Sequence, residues 1–288
     1  MKSSWMLVAA TLFALMGVLV KHASAHFSSA ELVFYRSVFG LVAIWLGIAI
    51  QRRQVFAPLV TTHLLAHVWR GLSGFVALVL FFYALGRLPL ATAVTLNYTA
   101  PLFLAALSVG WLRERHGRGL LLAVLLGFVG IVLLLRPQVQ SDAWLPALAG
   151  LVSGMLAAVA YVNIKRLGRL GEPEWRVVFY FTLLATLGGG GWMLLAGFTR
   201  PQLADLPVLS GIGITATLAQ LALTRAYHRG RTLIVGALAY STVVFSAVYG
   251  VVLFDERLPL IAWLGIALVV VAGIVAVRVS TPPAADSL

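Results

Sequence analysis

Long apolar runs separated by short polar or basic segments recur from one end of the chain to the other. They fall at about 4–21, 30–50, 69–86, 90–112, 119–135, 145–164, 176–197, 207–228, 232–254 and 260–278. Each approaches the ~20 residues that a helix rising about 1.5 Å per residue needs to cross the hydrocarbon of a bilayer. The pattern predicts an all-α integral membrane protein of ten transmembrane helices, with no stretch left for a separate soluble domain. The first run, with Lys2 ahead of it and Ala23-Ser24-Ala25 behind, imitates a secretory signal. It is longer than a usual signal core, and Lys21-His22 intervene before the small residues, so it is read as the first span.

The polar interruptions narrow the picture. The fourth run carries Asn97, Tyr98, Thr99 and Pro101 near its middle, where polar groups are costly unless a neighbouring helix or water receives them. Pro101 has no backbone N–H, so the carbonyl of Asn97 loses its helical partner. A freed carbonyl at that depth is tolerated only beside protein or a solvated cavity, and the stretch is read as one wall of such a cavity. Thr217, Gln220, Thr224 and Tyr227 fall on one face of the eighth span, Ser153 and Tyr161 on one face of the sixth, and Thr242, Ser246 and Tyr249 on one face of the ninth. Tyr240 stands opposite Tyr98 when the two halves of the chain are aligned. Hydroxylated residues also serve as contacts between membrane helices, so both readings stay open for Ser and Thr. Asn97, Tyr98, Pro101, Tyr161, Gln220, Thr224 and Tyr240 are the cavity candidates. Glu31, Arg36 and His22 are gate or charge candidates near the outer end. Arg36 is read as the one basic residue clearly inside a span. It serves either as a bidentate anchor for an anionic group or as a structural cation that snorkels outward or pairs with Glu31.

Composition agrees: 61% of the 288 residues are hydrophobic, 10% are charged, and mean hydropathy is +0.99. A net charge of +12 would point to nucleic acid in a soluble protein. Here the basic residues lie in short loops and face lipid headgroups, so membrane lipid and no nucleic acid is the expected partner. With the N-terminus inside, fifteen Lys and Arg fall on the inner side, Arg70 among them, and five on the outer side. The positive-inside rule then places both termini in the cytoplasm. There are no cysteines, which excludes thiol chemistry and Cys-ligated metal. The six histidines are read at span ends or in loops; His63 and His67, four apart, form at most a two-ligand surface pair, and two ligands rarely suffice. No midplane carboxylate pair and no Gly-rich phosphate loop appears, so no enzyme, metal or cofactor is expected. Glu114 and Glu256 are read as caps of the following helices, and the glycines at 188–191 as a place of close approach or bending.

The chain also repeats itself. Val33-Phe34-Tyr35 returns as Val178-Phe179-Tyr180, Leu112-Arg113-Glu114-Arg115 as Phe254-Asp255-Glu256-Arg257, and Gly130-Ile131-Val132 as Gly273-Ile274-Val275. The order is kept at offsets of 142 to 145. The halves, 1–137 and 138–288, hold five spans each, so the second enters the membrane upside down. Inverted repeats of this kind build secondary transporters with substrate near the midplane.

ELVFYRSVFG (31–40), YALGRLPLATAVTLNYTAPLF (83–103), the Glu-Arg pair at 114–115 and GFVGIVLL (127–134) stand in the first half. ALTRAYHRGRTLIVGALAY (222–240), FDERLP (254–259) and GIALVVVAGIVAV (265–277) stand in the second. In order and spacing these resemble the drug/metabolite transporter superfamily, specifically its bacterial EamA-type members. The resemblance implies ten spans in two five-span repeats. It also implies a monomer or homodimer in the inner membrane that moves a small metabolite, an amino acid or similar solute, by alternating access. It does not name the cargo. One departure stands out: Val243 occupies the position that repeat alignment gives to Pro101, so the two walls need not bend equally. A non-transporting membrane sensor or assembly subunit is the competing class. No carboxylate, histidine or lysine is expected at the midplane, so no obligatory proton site is expected there.

Overall fold

Apolar runs become helices because a backbone in hydrocarbon must satisfy its own polar groups, and the helices stop where the polar segments begin. The computed structural model describes residues 2–52, 59–88, 90–111, 117–135, 143–254 and 259–279. Among the described residues the chain is helical, with α1 (Trp5–Ala23), α2 (Ser29–Arg52), α3 (Leu64–Arg87), α4 (Leu90–Asn97), α5 (Ala100–Gly110) and α6 (Arg118–Leu135) in its first half. The second half holds α7 (Trp144–Arg169), α8 (Glu174–Ala196), α9 (Leu206–Arg229), α10 (Thr232–Ala239), α11 (Ser241–Phe254) and α12 (Leu260–Val279). Gly171 and Gly197 follow α7 and α8 with φ of 79° and 80°, a left-handed conformation that glycine adopts without steric cost.

The outside of the molecule is apolar. On α8, Leu187, Trp192, Leu194 and Leu195 are exposed, whereas Thr182 and Gly189 are buried. An exposed apolar surface of this extent marks a membrane-embedded body. Among the described residues seven helices are long and apolar enough to cross a bilayer, and three shorter apolar segments, Ala93–Ser108, Arg118–Leu133 and Leu260–Ala276, accompany them.

Packing is reciprocal between the halves. α3 packs on α7 as α9 packs on α1; α2 pairs with α8, and α6 with α12. The Tyr35 hydroxyl of α2 donates to the Thr199 carbonyl beyond α8 at 3.4 Å, and the Tyr180 hydroxyl of α8 donates to the Leu59 carbonyl beyond α2 at 2.9 Å. Gly188, Gly189 and Gly190 serve close approach. A Cβ on Gly188 would sit 2.6 Å from the Phe75 ring, and one on Gly189 3.1 Å from Phe34 Cβ. α8 runs unbroken through them.

The fourth and ninth apolar runs are each interrupted, between α4 and α5 and between α10 and α11. At the first break Thr99 N–H donates to Leu96 O at 3.3 Å and Leu102 N–H to Thr99 O at 2.9 Å. At the second, Tyr240 N–H donates to Ala237 O at 3.3 Å and Val243 N–H to Tyr240 O at 3.0 Å. Both are the same tightened i→i−3 turn. The second wall, with Val243 in the place of Pro101, therefore breaks without a proline. Glu114 and Glu256, together with Arg53, Arg113, Arg115, Arg136 and Arg257, lie outside the described residues.

Candidate functional site

The two broken runs, with α1, α2, α3, α7, α8 and α9, enclose a cavity of about 440 Å³. Along α1 its lining runs from Met6 to the exposed Lys21, so it reaches the end of the bundle where α1 finishes. Most of the wall is apolar, with polar groups at a few points, the usual composition of a small-molecule pocket. Asn97, Tyr98 and Pro101 line it from the first break, Tyr161 from α7 and Gln220 from α9. Thr242 and Ser246 line it from α11.

The first break is built by contacts on three sides. Asn97 Nδ2 donates to Ser153 Oγ at 2.9 Å, and the Thr99 hydroxyl donates to Leu96 O at 2.6 Å. Gly154 of α7 faces the opened carbonyls: a Cβ there would lie 2.8 Å from Asn97 O and 2.9 Å from Leu96 O. The Asn97 carbonyl therefore packs closely against the bare backbone of α7. Tyr161 stacks on Tyr227 with centroids 4.8 Å apart and planes at 16°.

Four candidates stand elsewhere. Tyr240 is fully buried away from the cavity, its ring packed on Gly127 of α6, where a Cβ would meet Cδ2 at 2.5 Å. Alignment with Tyr98 located its backbone but not its direction. Thr224 is also fully buried and does not line the cavity. Glu31 is stapled at one end of α2: its carboxylate accepts from Ser28 N–H at 2.6 Å and Thr199 N–H at 2.5 Å. It is not the partner of Arg36. His22 is exposed at the end of α1.

Two residues that the sequence pattern places at the surface are buried. Arg70, counted among the inner-side loop charges, lies in α3, 3% exposed, and lines the cavity with Arg36, so Arg36 is not the lone basic residue within a span. His67 is 0% exposed, its ring centroid 4.5 Å from that of Tyr180 and its Nε2 3.3 Å from Glu172 Oε2. It is no half of a surface metal pair. Glu172 also accepts from the Thr61 hydroxyl and from Arg176 Nη1, the latter at 2.9 Å. Burial pushes the Glu172 carboxyl up, but the hydrogen bonds from Thr61, Arg176 and His67 outweigh it and hold the pKa below the ordinary value. Among the described residues no group of three or more His, Asp or Glu is placed to hold a metal ion.

The family follows from the whole chain. The sequence model of the EamA-like transporter family matches residues 2–136 and again residues 144–278. The chain belongs to the EamA-like transporter family. This EamA-like transporter is 33% identical over 265 residues, 90% of each chain, to the pseudopaline exporter CntI of Pseudomonas aeruginosa. It is 26% identical to a riboflavin transporter of Rhizobium johnstonii, over 95% of this chain and 90% of the relative. A crystal structure of a protein 21% identical matches with a TM-score of 0.79 over 97% of this chain and 99% of the other, a likeness of fold. The EamA-like chain is thus a multi-pass membrane transporter of small molecules and not an enzyme.

Proposed function

We propose that this transporter carries a small polar metabolite, an amino acid or similar solute, across the bacterial cytoplasmic membrane by alternating access. The observation that carries the reading is the cavity itself, bounded by helices from both halves and walled by two broken runs. Counting each broken run as one span gives ten spans, with both termini in the cytoplasm. The repeats are 1–137 and 138–288, and their inversion is supported by the reciprocal Tyr35 and Tyr180 bonds. In that orientation Lys21 lies at the outer face, and the cavity opens outward.

The chain has no cysteine, so one introduced thiol reports alone. Ala157 lines the cavity on α7. In proteoliposomes, Ala157→Cys should react with a membrane-impermeant maleimide added to either face, and the protein should exchange labelled solute. Labelling confined to one face, with no exchange of any of a broad set of metabolites, would leave a static pocket and no carrier.

A further inference from the structure

Two buried guanidinium groups face the cavity, and no carboxylate among the described residues reaches them. Arg36 and Arg70 are 4% and 3% exposed, and both line it. Their Cζ atoms lie 6.0 and 4.3 Å from the centroid of one ring, that of Phe181, which also lines the cavity. The two cations are therefore no farther apart than the sum of those distances. Nε and Nη1 of Arg70 are buried and have no hydrogen-bond partner among the described residues.

The fork of Arg70 is held in place. A Cβ on Gly74, one turn along α3, would overlap Arg70 Nη1 and sit 3.0 Å from Phe181 Cε2. The missing side chain lets the guanidinium lie between α3 and the ring. A ring face attracts a cation but does not neutralise it, and a second cation on the same ring adds repulsion. The described carboxylates are engaged elsewhere. Glu31 holds Ser28 and Thr199 amides, and Glu172 holds Thr61, His67 and Arg176. Glu174 pairs with Arg229, and Asp205 accepts from Gln202 N–H. Two cations at membrane depth, Arg70 with unused donors, call for an anion from outside the chain.

We propose that Arg36 and Arg70 form an anion subsite in which a carboxylate of the cargo sits above Phe181, so that the transported solute is an organic acid. The planar forks suit a carboxylate through paired N–H donors. Asn97, Gln220, Tyr98 and Tyr161 on the remaining wall meet the rest of the molecule. The inference rests on the carrier reading of the cavity.

The test uses the full chain purified in detergent and phenylglyoxal, an uncharged reagent for arginine, with modification of Arg36 and Arg70 read by mass spectrometry of peptides. Both arginines should react in the free protein. Benzoate and L-glutamate should protect them, and benzamide should not. Arg70→Gln should weaken the benzoate protection of Arg36 by roughly tenfold or more, the loss expected when one partner of a buried charge contact is removed. Gly74→Ala, which keeps both arginines while its methyl displaces the Arg70 guanidinium and crowds the Phe181 ring edge, should weaken it severalfold. Arginines that never react are sealed from the cavity and overturn the assignment. So does an absence of protection by either carboxylate, equal protection by benzamide, or protection by inorganic phosphate alone. No flux is needed, so a protein that fails the exchange test but shows carboxylate protection keeps the site and loses the carrier. Exchange of neutral solutes with unprotected arginines does the reverse.

Discussion

At the position of Gly154 a single methyl group would stand 2.8 and 2.9 Å from the carbonyl oxygens of Asn97 and Leu96. Backbone oxygens cannot swing aside as a side-chain end can. Gly154→Ala should therefore push α4 from α7 at a cost of about 1–3 kcal/mol, the usual range for overpacking. It should lower the apparent melting temperature in detergent and abolish exchange. Pro101→Ala should do much less, because the Thr99 hydroxyl and the i→i−3 bonds hold the turn without proline. The matching turn at Tyr240 has no proline in it at all. A wild-type melting curve for Gly154→Ala beside a crippled Pro101→Ala would return the break to the proline. Asn97, Tyr98, Tyr161 and Gln220 were legible as cavity residues because bulky polar groups at membrane depth need somewhere to go. Arg70 was not, since a charge near the end of an apolar run reads as loop by composition alone. The available signal was the company it keeps: His67, Arg70, Gly71 and Gly74 make a polar and small face on one helix. Tyr240 misled for the opposite reason, since repeat alignment equates backbone positions and says nothing of which neighbour offers a glycine to pack on.

Helix ends carry the polar chemistry that the helix middles cannot, and the junction of α3, α7 and α8 shows how. Glu172, between α7 and α8, gathers Thr61 from before α3, His67 from within α3 and Arg176 from α8. A carboxyl whose folded pKa lies below its ordinary value of 4.5 binds protons less readily in the folded state than in the unfolded one. Its contribution to stability is thus fully present above the unfolded value and is lost as pH falls through the lower folded value. Thermal unfolding of the wild type should weaken across that acid range. Glu172→Gln should be less stable at neutral pH by about 1–3 kcal/mol, the cost of leaving buried donors unsatisfied. Its stability should also depend less on pH over the same range. Parallel pH curves for the two proteins would mean that Glu172 does not link these helices. The helical, membrane-spanning character and the order of the apolar runs were readable because hydrocarbon length constrains each run. This junction was not, because its members are scattered over loops and helix starts whose pairing only the packing decides.

Across the whole molecule the same contact occurs twice, once at each end. Tyr35 reaches Thr199 at 3.4 Å in an exposed setting, and Tyr180 reaches Leu59 at 2.9 Å in a partly buried one. The repeated Val-Phe-Tyr in the sequence is the visible trace of that pair; its reach to the loop beyond the opposite helix was not visible. If the halves are inverted, the Tyr35 bond closes the outer end of the α2–α8 interface and the Tyr180 bond its inner end. Removing either should favour opening on its own side. One hydrogen bond contributes about 0.5–1.5 kcal/mol, enough to shift a two-state population by roughly two- to tenfold. In the Ala157→Cys background, with orientation fixed by a reporter fused after Arg231, Tyr180→Phe should raise maleimide labelling from the cytoplasmic face and lower it from the outer face. Tyr35→Phe should do the reverse, and by less, since its bond is longer and wetter. Shifts in the same direction for both variants would show that the two bonds do not belong to opposed gates. The inverted, alternating scheme would then have to be given up even if solute exchange were intact.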